Sequence, residues 1–358
     1  MTGSQERLNQ HQTEPLGGAR HEPNFVCCHA VECVSQLNAQ VVASNEVFAQ
    51  SSKHPQVCVV HPSLTQLCLQ HAPRAGVSPT DLSTLQIARL DTTEERVHSL
   101  HRPSVCFLVQ GRKEVHIGSS VFCYGAGEFL VSSVDLPTTG VVVEATSRKP
   151  YLCLVLAIEP GLVFELASAM RWPASTRTRR AIFVGPSDPE MTDAFFRLMA
   201  CLKSPMDIQM LAPGIVREIT YRLLQGPYGE TVRDLGVVGS GTQRIAIVIE
   251  RIKREYTKPL RTEELARTAG MSPSSLHAHF RKVTMLSPLQ FQKRLRLQEA
   301  RRLLLAQQES VADVGFTVGY ESASQFSREY ARLFGAPPTR DITQILDPKF
   351  VKRRTNAR

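Results

Sequence analysis

From residue 81 to 157 the chain alternates short apolar runs with Gly, Pro, Asp and Ser: "STLQIARL", "SVCFLVQG", "KEVHIG", "SVFCYG", "EFLVSS", "GVVVEA" and "YLCLVLA". Runs this short, rich in Val, Leu and Phe, predict closely spaced strands and hence an all-β sandwich or barrel. "QGRK" at 110–113 reads as a hairpin turn, with Gly111 supplying backbone freedom. Beyond Glu159 the period lengthens. "PGLVFELASAM", "DPEMTDAFFRLMACL" and "PGIVREITYRLLQG" predict helices packed on the barrel, and "YGETVRDLGVVGSGTQ" leads from them into another helix near 242–255.

The C-terminal end carries one pattern twice. In "SVADVGFTVGYESASQFSREYARLFG", Val311, Val314 and Val318 share a helical face, Ser310 caps it with Asp313 in the first turn, and Gly319 makes the turn. Ser322 and Gln325 have the spacing of a second cap. Phe326, Tyr330, Leu333 and Phe334 then form an inward stripe, which ends at Gly335 with Pro337 and Pro338 behind it. Two short helices around a glycine make a helix-turn-helix, common enough alone to be only a solvated surface feature. About fifty residues upstream, however, "LRTEELARTAGMSPSSLHAHFRKVTMLSP" repeats it. Thr262 reads as cap, Leu265, Ala266 and Ala269 as buried stripe, and Gly270 as turn; Ser272 and Pro273 open the second helix, with Leu276, Phe280 and Val283 inward. The later copy has one extra residue between its glycine and the first core residue of its second helix, as a divergent duplicate would. Two consecutive copies are far more specific than one.

The outward faces of the two second helices hold Ser274, His277, Ala278 and Arg281 in the first copy, and Ala323, Ser324, Ser327 and Arg328 in the second. Small side chains let a helix backbone lie close to a surface, and an arginine reaches a guanine edge or a phosphate. Between the copies, "SPLQFQKRLRLQEARRLLL" predicts a helix on the order of 25 Å long. Phe291, Leu295, Ala300, Leu303 and Leu304 supply its apolar contacts, while Lys293, Arg294, Arg296, Arg301 and Arg302 fill the other positions. Such a spacer holds two reading helices about one DNA turn apart, roughly 34 Å, over an asymmetric site of about 20 base pairs.

Charge supports this division. Residues 243–358 hold 22 Lys and Arg against 11 Asp and Glu, a net of +11; the whole chain carries +9, which leaves the first 242 residues at −2. Positive charge confined to one end suits phosphate neutralisation there, and "KFVKRRTNAR" at 349–358 makes the tail from 346 to 358 basic. The 358 residues leave room for two or three domains. No run of 18 apolar residues occurs and the N-terminus lacks a signal peptide's apolar core, so a cytoplasmic location is expected. The nine cysteines form no C-x-x-C pair, which argues against a disulfide framework.

The segment from about 243 to 342 resembles the DNA-binding domain of the AraC/XylS family of bacterial transcription regulators. The resemblance rests on the turns at Gly270 and Gly319, on "RLRLQEARRLL", and on "SASQFSREYARLFGAPP". Three departures stand out. Ala278 stands where a larger polar or basic residue is usual, Gly315 replaces an alanine, and "APPTRDI" replaces the more usual ending with an aromatic followed by arginine. From "LTQLCLQHAPRAG" at residue 64 the chain also resembles the cupin-like N-terminal domain of one subgroup, through "PSVCFLVQGRKEV", "YGAGEFLVSSVDLP" and "SPMDIQMLAPGIVREITYRLLQGPYGE". The resemblance implies an α+β two-domain chain: an N-terminal cupin-like β-barrel with packed helices and a C-terminal all-α double helix-turn-helix. The expected division is an extension over 1–60, a sensory and dimerisation domain over 61–240, a DNA-binding domain over 241–345 and the tail.

Cupin oxygenases hold a metal through an H-x-H pair with a glutamate and a later histidine. Here His98, His101 and His116 are the nearest candidates and no H-x-H occurs, so surface or hydrogen-bonded histidines are expected, with no metal and no cofactor. Cys106, Cys123 and Cys153 fall in predicted strands, as small buried apolar residues, while the spacing in "CCHAVEC" at 27–33 matches no standard metal site. Trp172 and "RWPASTRTRR" read as an exposed connector, and residues 1–60 as a flexible extension or the product of an early start codon. The expected function is sequence-specific transcription regulation, not enzymatic, with double-stranded DNA, an unidentified small-molecule effector, RNA polymerase and a second copy of the chain as partners. The rivals are an architectural DNA-binding protein and a metal-dependent cupin enzyme fused to a DNA-binding domain.

Overall fold

The computed structural model describes residues 62–93, 96–170, 178–237, 239–306 and 310–346. The segment 1–60, "CCHAVEC", Trp172 and nearly all of the basic tail lie outside the described residues.

All strand pairing is antiparallel. Helix α1 (Pro62–His71) leads into β1 (Gly76–Pro79), β2 (Leu85–Leu90), β3 (Arg96–His101), β4 (Ser104–Gln110), β5 (Arg112–Ile117), β6 (Ser120–Gly125), β7 (Glu128–Ser132), β8 (Leu136–Glu144) and β9 (Tyr151–Ala157). After α2 (Pro160–Ala169), β10 (Ile182–Pro186) completes the strands. They form a six-stranded sheet in the order β1-β2-β9-β4-β7-β10 and a four-stranded sheet in the order β3-β8-β5-β6. The apolar runs predicted seven of these strands and missed β1 and β3, whose half-polar sequences lack a continuous apolar signal, and β10, a short apolar run standing among segments of helical period.

The predicted hairpin at "QGRK" is not a hairpin. β4 pairs with β7 and β9, whereas β5 pairs with β6 and β8. Gly111, at φ +92°, therefore carries the chain round a corner from one sheet to the other. A Cβ there would meet the Glu144 carbonyl oxygen at 2.5 Å, so the glycine meets both a backbone and a packing need.

Alternation along the larger sheet divides its side chains between two cores. Val105, Phe107, Val109, Leu152, Leu154 and Leu156 face the helices, where Phe107 stacks on Phe195 with ring centroids 4.7 Å apart. Those helices are α3 (Pro189–Cys201), α4 (Pro205–Met210), α5 (Ala212–Gln225) and α6 (Gly229–Gly236), with α1 and α2. Cys106, Leu108, Leu130, Tyr151 and Cys153 belong to the other core, with Val115, Ile117, Tyr124 and Val142 of the smaller sheet.

That second core continues beyond the sheets. It runs on through Ile245, Val248, Ile249 and Ile252 of α7 (Gly241–Arg254), then Leu265, Ala266 and Ala269 of α8 (Thr262–Ala269). Leu276, Phe280 and Val283 of α9 (Pro273–Thr284) and Phe291 and Leu295 of α10 (Pro288–Leu305) complete it. The Ala181 amide donates to the Val283 carbonyl at 3.0 Å, Lys253 pairs with the buried Asp135 at 2.6 Å, and His279 and Thr178 share a hydrogen bond of 2.8 Å. A third, separate core joins the C-terminal part of α10 to α11 (Val311–Thr317), α12 (Ala323–Phe334) and α13 (Pro338–Leu346).

Candidate nucleic-acid interface

The two helix-turn-helix units are set by local chemistry that the sequence spells out. Ser272 accepts a hydrogen bond from the Ser275 amide to start α9, and Ser322 accepts one from the Gln325 amide to start α12. Ser310 caps α11 through the Asp313 amide. One predicted cap differs: Thr262 is the first residue of α8, and Arg261 occupies the cap position without a side-chain bond.

From their caps onward the copies are in register at 50 residues, Ser272 with Ser322. Leu276 then matches Phe326, Phe280 matches Tyr330, and Met285 matches Gly335. Met285, at φ +60°, is the one non-glycine residue with positive φ among the described residues, and Gly335 adopts φ +83°. Both residues end their helix in the left-handed conformation that frees the chain to turn.

In α9, Ser274, His277, Ala278 and Arg281 are all exposed; in α12, Ser324 and Arg328 are exposed, while Ala323 and Ser327 are half-buried. By the 50-residue register Arg328 stands opposite Ala278, and Arg281 opposite Ala331. The two arginines are therefore not equivalent. Arg328 lies at the middle of its helix, its Nε donating to the Ser324 carbonyl at 3.3 Å, whereas Arg281 belongs to the last turn of α9. Lys282, Arg332 and Arg340 are further exposed cations that sequence reading did not single out; the repeat register would have found Lys282 and Arg332, which match each other.

The basic residues of α10 are occupied within the protein. Lys293 pairs with Glu329 at 2.6 Å, Arg302 with Glu299 at 2.6 Å, and Arg294 donates to the Pro137 carbonyl at 3.4 Å. Arg301 is buried and grips the fully buried Asp341 through two bonds of 2.9 Å, with the Tyr330 hydroxyl donating to the same carboxylate at 2.7 Å. Arg296 donates to the carbonyls of Tyr256 at 2.6 Å, Gly319 at 2.7 Å, and Thr257 and Lys258 at 3.0 Å each. Its guanidinium thus ties the second turn to the α7–α8 connection. Gly319 has φ +93°, and a Cβ there would collide with the Thr257 carbonyl. Gly315 lies against Phe326, where a Cβ would stand 3.0 Å from the ring.

Among the two-sheet domain's candidate ligands, His98 and His101 occupy β3 and His116 lies on β5. His98 shares a hydrogen bond of 2.9 Å with Thr139 and sets its ring edge against Phe334 of α12 at 4.8 Å. Burial, then the positive charge of Arg301, Arg96 and Arg294, lowers its pKa to about 3. His101 bonds Ser104 at 3.3 Å, and burial, then Lys113, lowers its pKa to about 4. His116 bonds Glu114 at 3.2 Å. The three share no centre, and among the described residues no three His, Cys, Asp or Glu cluster as metal ligands. Cys106 and Cys153 are buried as expected; Cys123 is exposed, because it lies on the outer face of β6 opposite Glu114.

Residues 81–231 match the family model described as the AraC-type transcriptional regulator N-terminus, and residues 265–343 match a helix-turn-helix domain. The HTH-type transcriptional regulator ArgR of Pseudomonas aeruginosa is 26% identical over 135 residues, covering 37% of this chain and 41% of that protein. CdhR of the same organism is 36% identical over 103 residues, 29% of this chain and 31% of its own. The activator RhaS of Klebsiella pneumoniae is 32% identical over 104 residues, 29% of this chain and 37% of its own. The chain thus spans well under half the length of these relatives. ToxT of Vibrio cholerae superposes over 74% of this chain and 98% of its own, at 7% identity and a TM-score of 0.48. Among the described residues no helix is long and apolar enough to cross a membrane.

Proposed function

The chain belongs to the AraC/XylS family, and from that premise we propose that it regulates transcription by reading one DNA site with α9 and α12 while its two-sheet domain takes a small-molecule effector. In this reading residues 61–240 sense and 241–345 bind DNA, with 1–60 and 346–358 as appended segments. RNA polymerase and a second copy of the chain are further partners, and the site of action is the cytoplasm. The protein is a binding protein rather than an enzyme, in keeping with relatives named as transcription regulators.

The observation that carries the reading is the duplicated reading face, capped by Ser272 and Ser322 and exposed at Ser274, His277, Ala278, Ser324 and Arg328. Ala323 and Ser327 complete it at the groove wall. Base edges are read from the N-terminal half of a recognition helix, so Arg328 is assigned to a base and Arg281, in the last turn, to a phosphate. Mapping bound DNA across the genome with the full-length protein should give sharp peaks sharing an asymmetric two-part motif; motif-free occupancy would point to an architectural protein instead. On the recovered site, Arg328→Ala should cost about 1–3 kcal/mol and relax one base position. Arg281→Ala should weaken all sequences alike and reduce the salt slope by about 1.

A further inference from the structure

Helices α9 and α12 are held from behind by different parts of the molecule. His279 stands two residues past His277 and so points away from the exposed face of α9. Its Nδ1 shares a hydrogen bond of 2.8 Å with the hydroxyl of Thr178, a buried residue just ahead of β10. Gly241, the first residue of α7, leaves room for that bond, since a Cβ there would stand 2.6 Å from Thr178 Oγ1. The rest of the segment is fixed as well. Arg179 pairs with Glu230 and Asp234 of α6. The Ala181 amide donates to the Val283 carbonyl of α9 at 3.0 Å, and its carbonyl accepts from the Ser133 amide at 2.7 Å. Residues 178–181 therefore brace the back of α9 against the two-sheet domain. By the 50-residue register His279 matches Glu329 of α12, where the support is local. Glu329 accepts from Lys293 of α10 at 2.6 Å, from the Tyr320 hydroxyl at 2.9 Å and from Gln325 at 3.4 Å. None of these comes from the two-sheet domain.

We propose that Thr178 and His279 are a positioning pair through which the two-sheet domain sets the tilt of α9 on DNA, whereas α12 is set within its own unit through Glu329. The proposal rests on the reading that α9 and α12 read one site, and it adds that the α9 half is read in full only while the brace holds. The side chains available to each helix explain why the brace belongs to α9. Ala278 stands in α9 where Arg328 stands in α12, so α9 reads with the short side chains of Ser274 and His277. Hydrogen bonds to base edges weaken steeply with distance and angle. A long arginine follows a small tilt of its helix and a serine does not.

The test is selection from a pool of random-sequence duplex DNA by the full-length protein and its variants. Wild type should enrich a two-part motif, and the part that Arg328→Ala alters belongs to α12. Thr178→Val keeps the side chain's shape and removes its hydroxyl, a loss too small to unfold a domain. It should keep the α12 part, flatten the α9 part and weaken binding to the wild-type duplex by about tenfold. Thr178→Ser, which retains the hydroxyl, should restore both parts. Glu329→Gln should do the reverse, flattening the α12 part and keeping the α9 part. Both parts kept in Thr178→Val, both eroded equally, or a serine variant as defective as the valine one would each overturn the positioning pair and leave the regulator reading standing. A wild type that enriches no motif would instead bring down the regulator reading, and the proposal with it.

Discussion

At the scale of single residues, two sets of buried titratable groups act on stability with opposite signs. His98 and His101 are held neutral in the fold, at about 3 and about 4, while the unfolded chain protonates them near 6.5. Their contribution is present above 6.5 and is lost as pH falls from there. Asp234 behaves the other way: burial, against the attraction of Arg179 and Arg233, raises it to about 6, so the fold favours its protonated form. Its contribution is present below 3.8 and is lost as pH rises through 6, and the two effects partly cancel between those values. Asp234→Asn should therefore lose stability more steeply than wild type as pH falls from 6.5 to 4.5, by up to about 1.4 kcal/mol per pH unit; parallel melting curves would contradict this. Gly319 gives a second comparison. Gly319→Ala meets both a positive φ and the Thr257 carbonyl, whereas Gly335→Ala meets a positive φ with open space around it. The first should lower the urea midpoint clearly more than the second, whose cost is about 1 kcal/mol. Caps and turns of this kind were legible in the sequence because they are encoded within four residues. The partner of Gly319 was not, since Thr257 lies in a different connection.

At the scale of elements, the helices of both helix-turn-helix units followed from their periodic stripes, and the chemistry of α10 did not. Its arginines satisfy a helical pattern whether they face solvent or carbonyls, and only the tertiary arrangement distinguishes Arg301, clamped to Asp341 of α13, from Arg302 in the open. Arg301→Ala would leave the Asp341 carboxylate buried with only Tyr330 donating to it, at a cost of about 3–5 kcal/mol. Chemical denaturation followed by the fluorescence of the α12 tyrosine region should register it, with little change in the sheets. The corner at Gly111 was misread for a related reason: a glycine between two strands specifies a turn, but not which sheet the second strand joins.

At the scale of the whole molecule, the first reading unit shares a core with the two-sheet domain and the second does not. Packing of this kind makes the first unit and the sheets one cooperative body. Val283→Ala should accordingly raise amide exchange in β5 and β6 as well as in α9, while Phe326→Ala should raise it in α11 and α12 and leave β5 and β6 unchanged. Equal spread of both effects would mean that a single unit unfolds. The two domains could be read from the chain's change of period and of charge, but not their shared core, because apolar residues facing a second domain look like those facing their own. The strand β8 joins the two halves directly. Gly140 and Val142 face the space beside Lys113, while Thr139 bonds His98 and the Pro137 carbonyl receives Arg294. With a period of two, positions Leu136, Gly140 and Val142 face the core between the sheets, while Thr139 faces outward to His98, which packs on Phe334 of α12. Under the proposed function, substitutions along this one stretch of backbone retune ligand preference and its coupling to DNA separately, residue by residue.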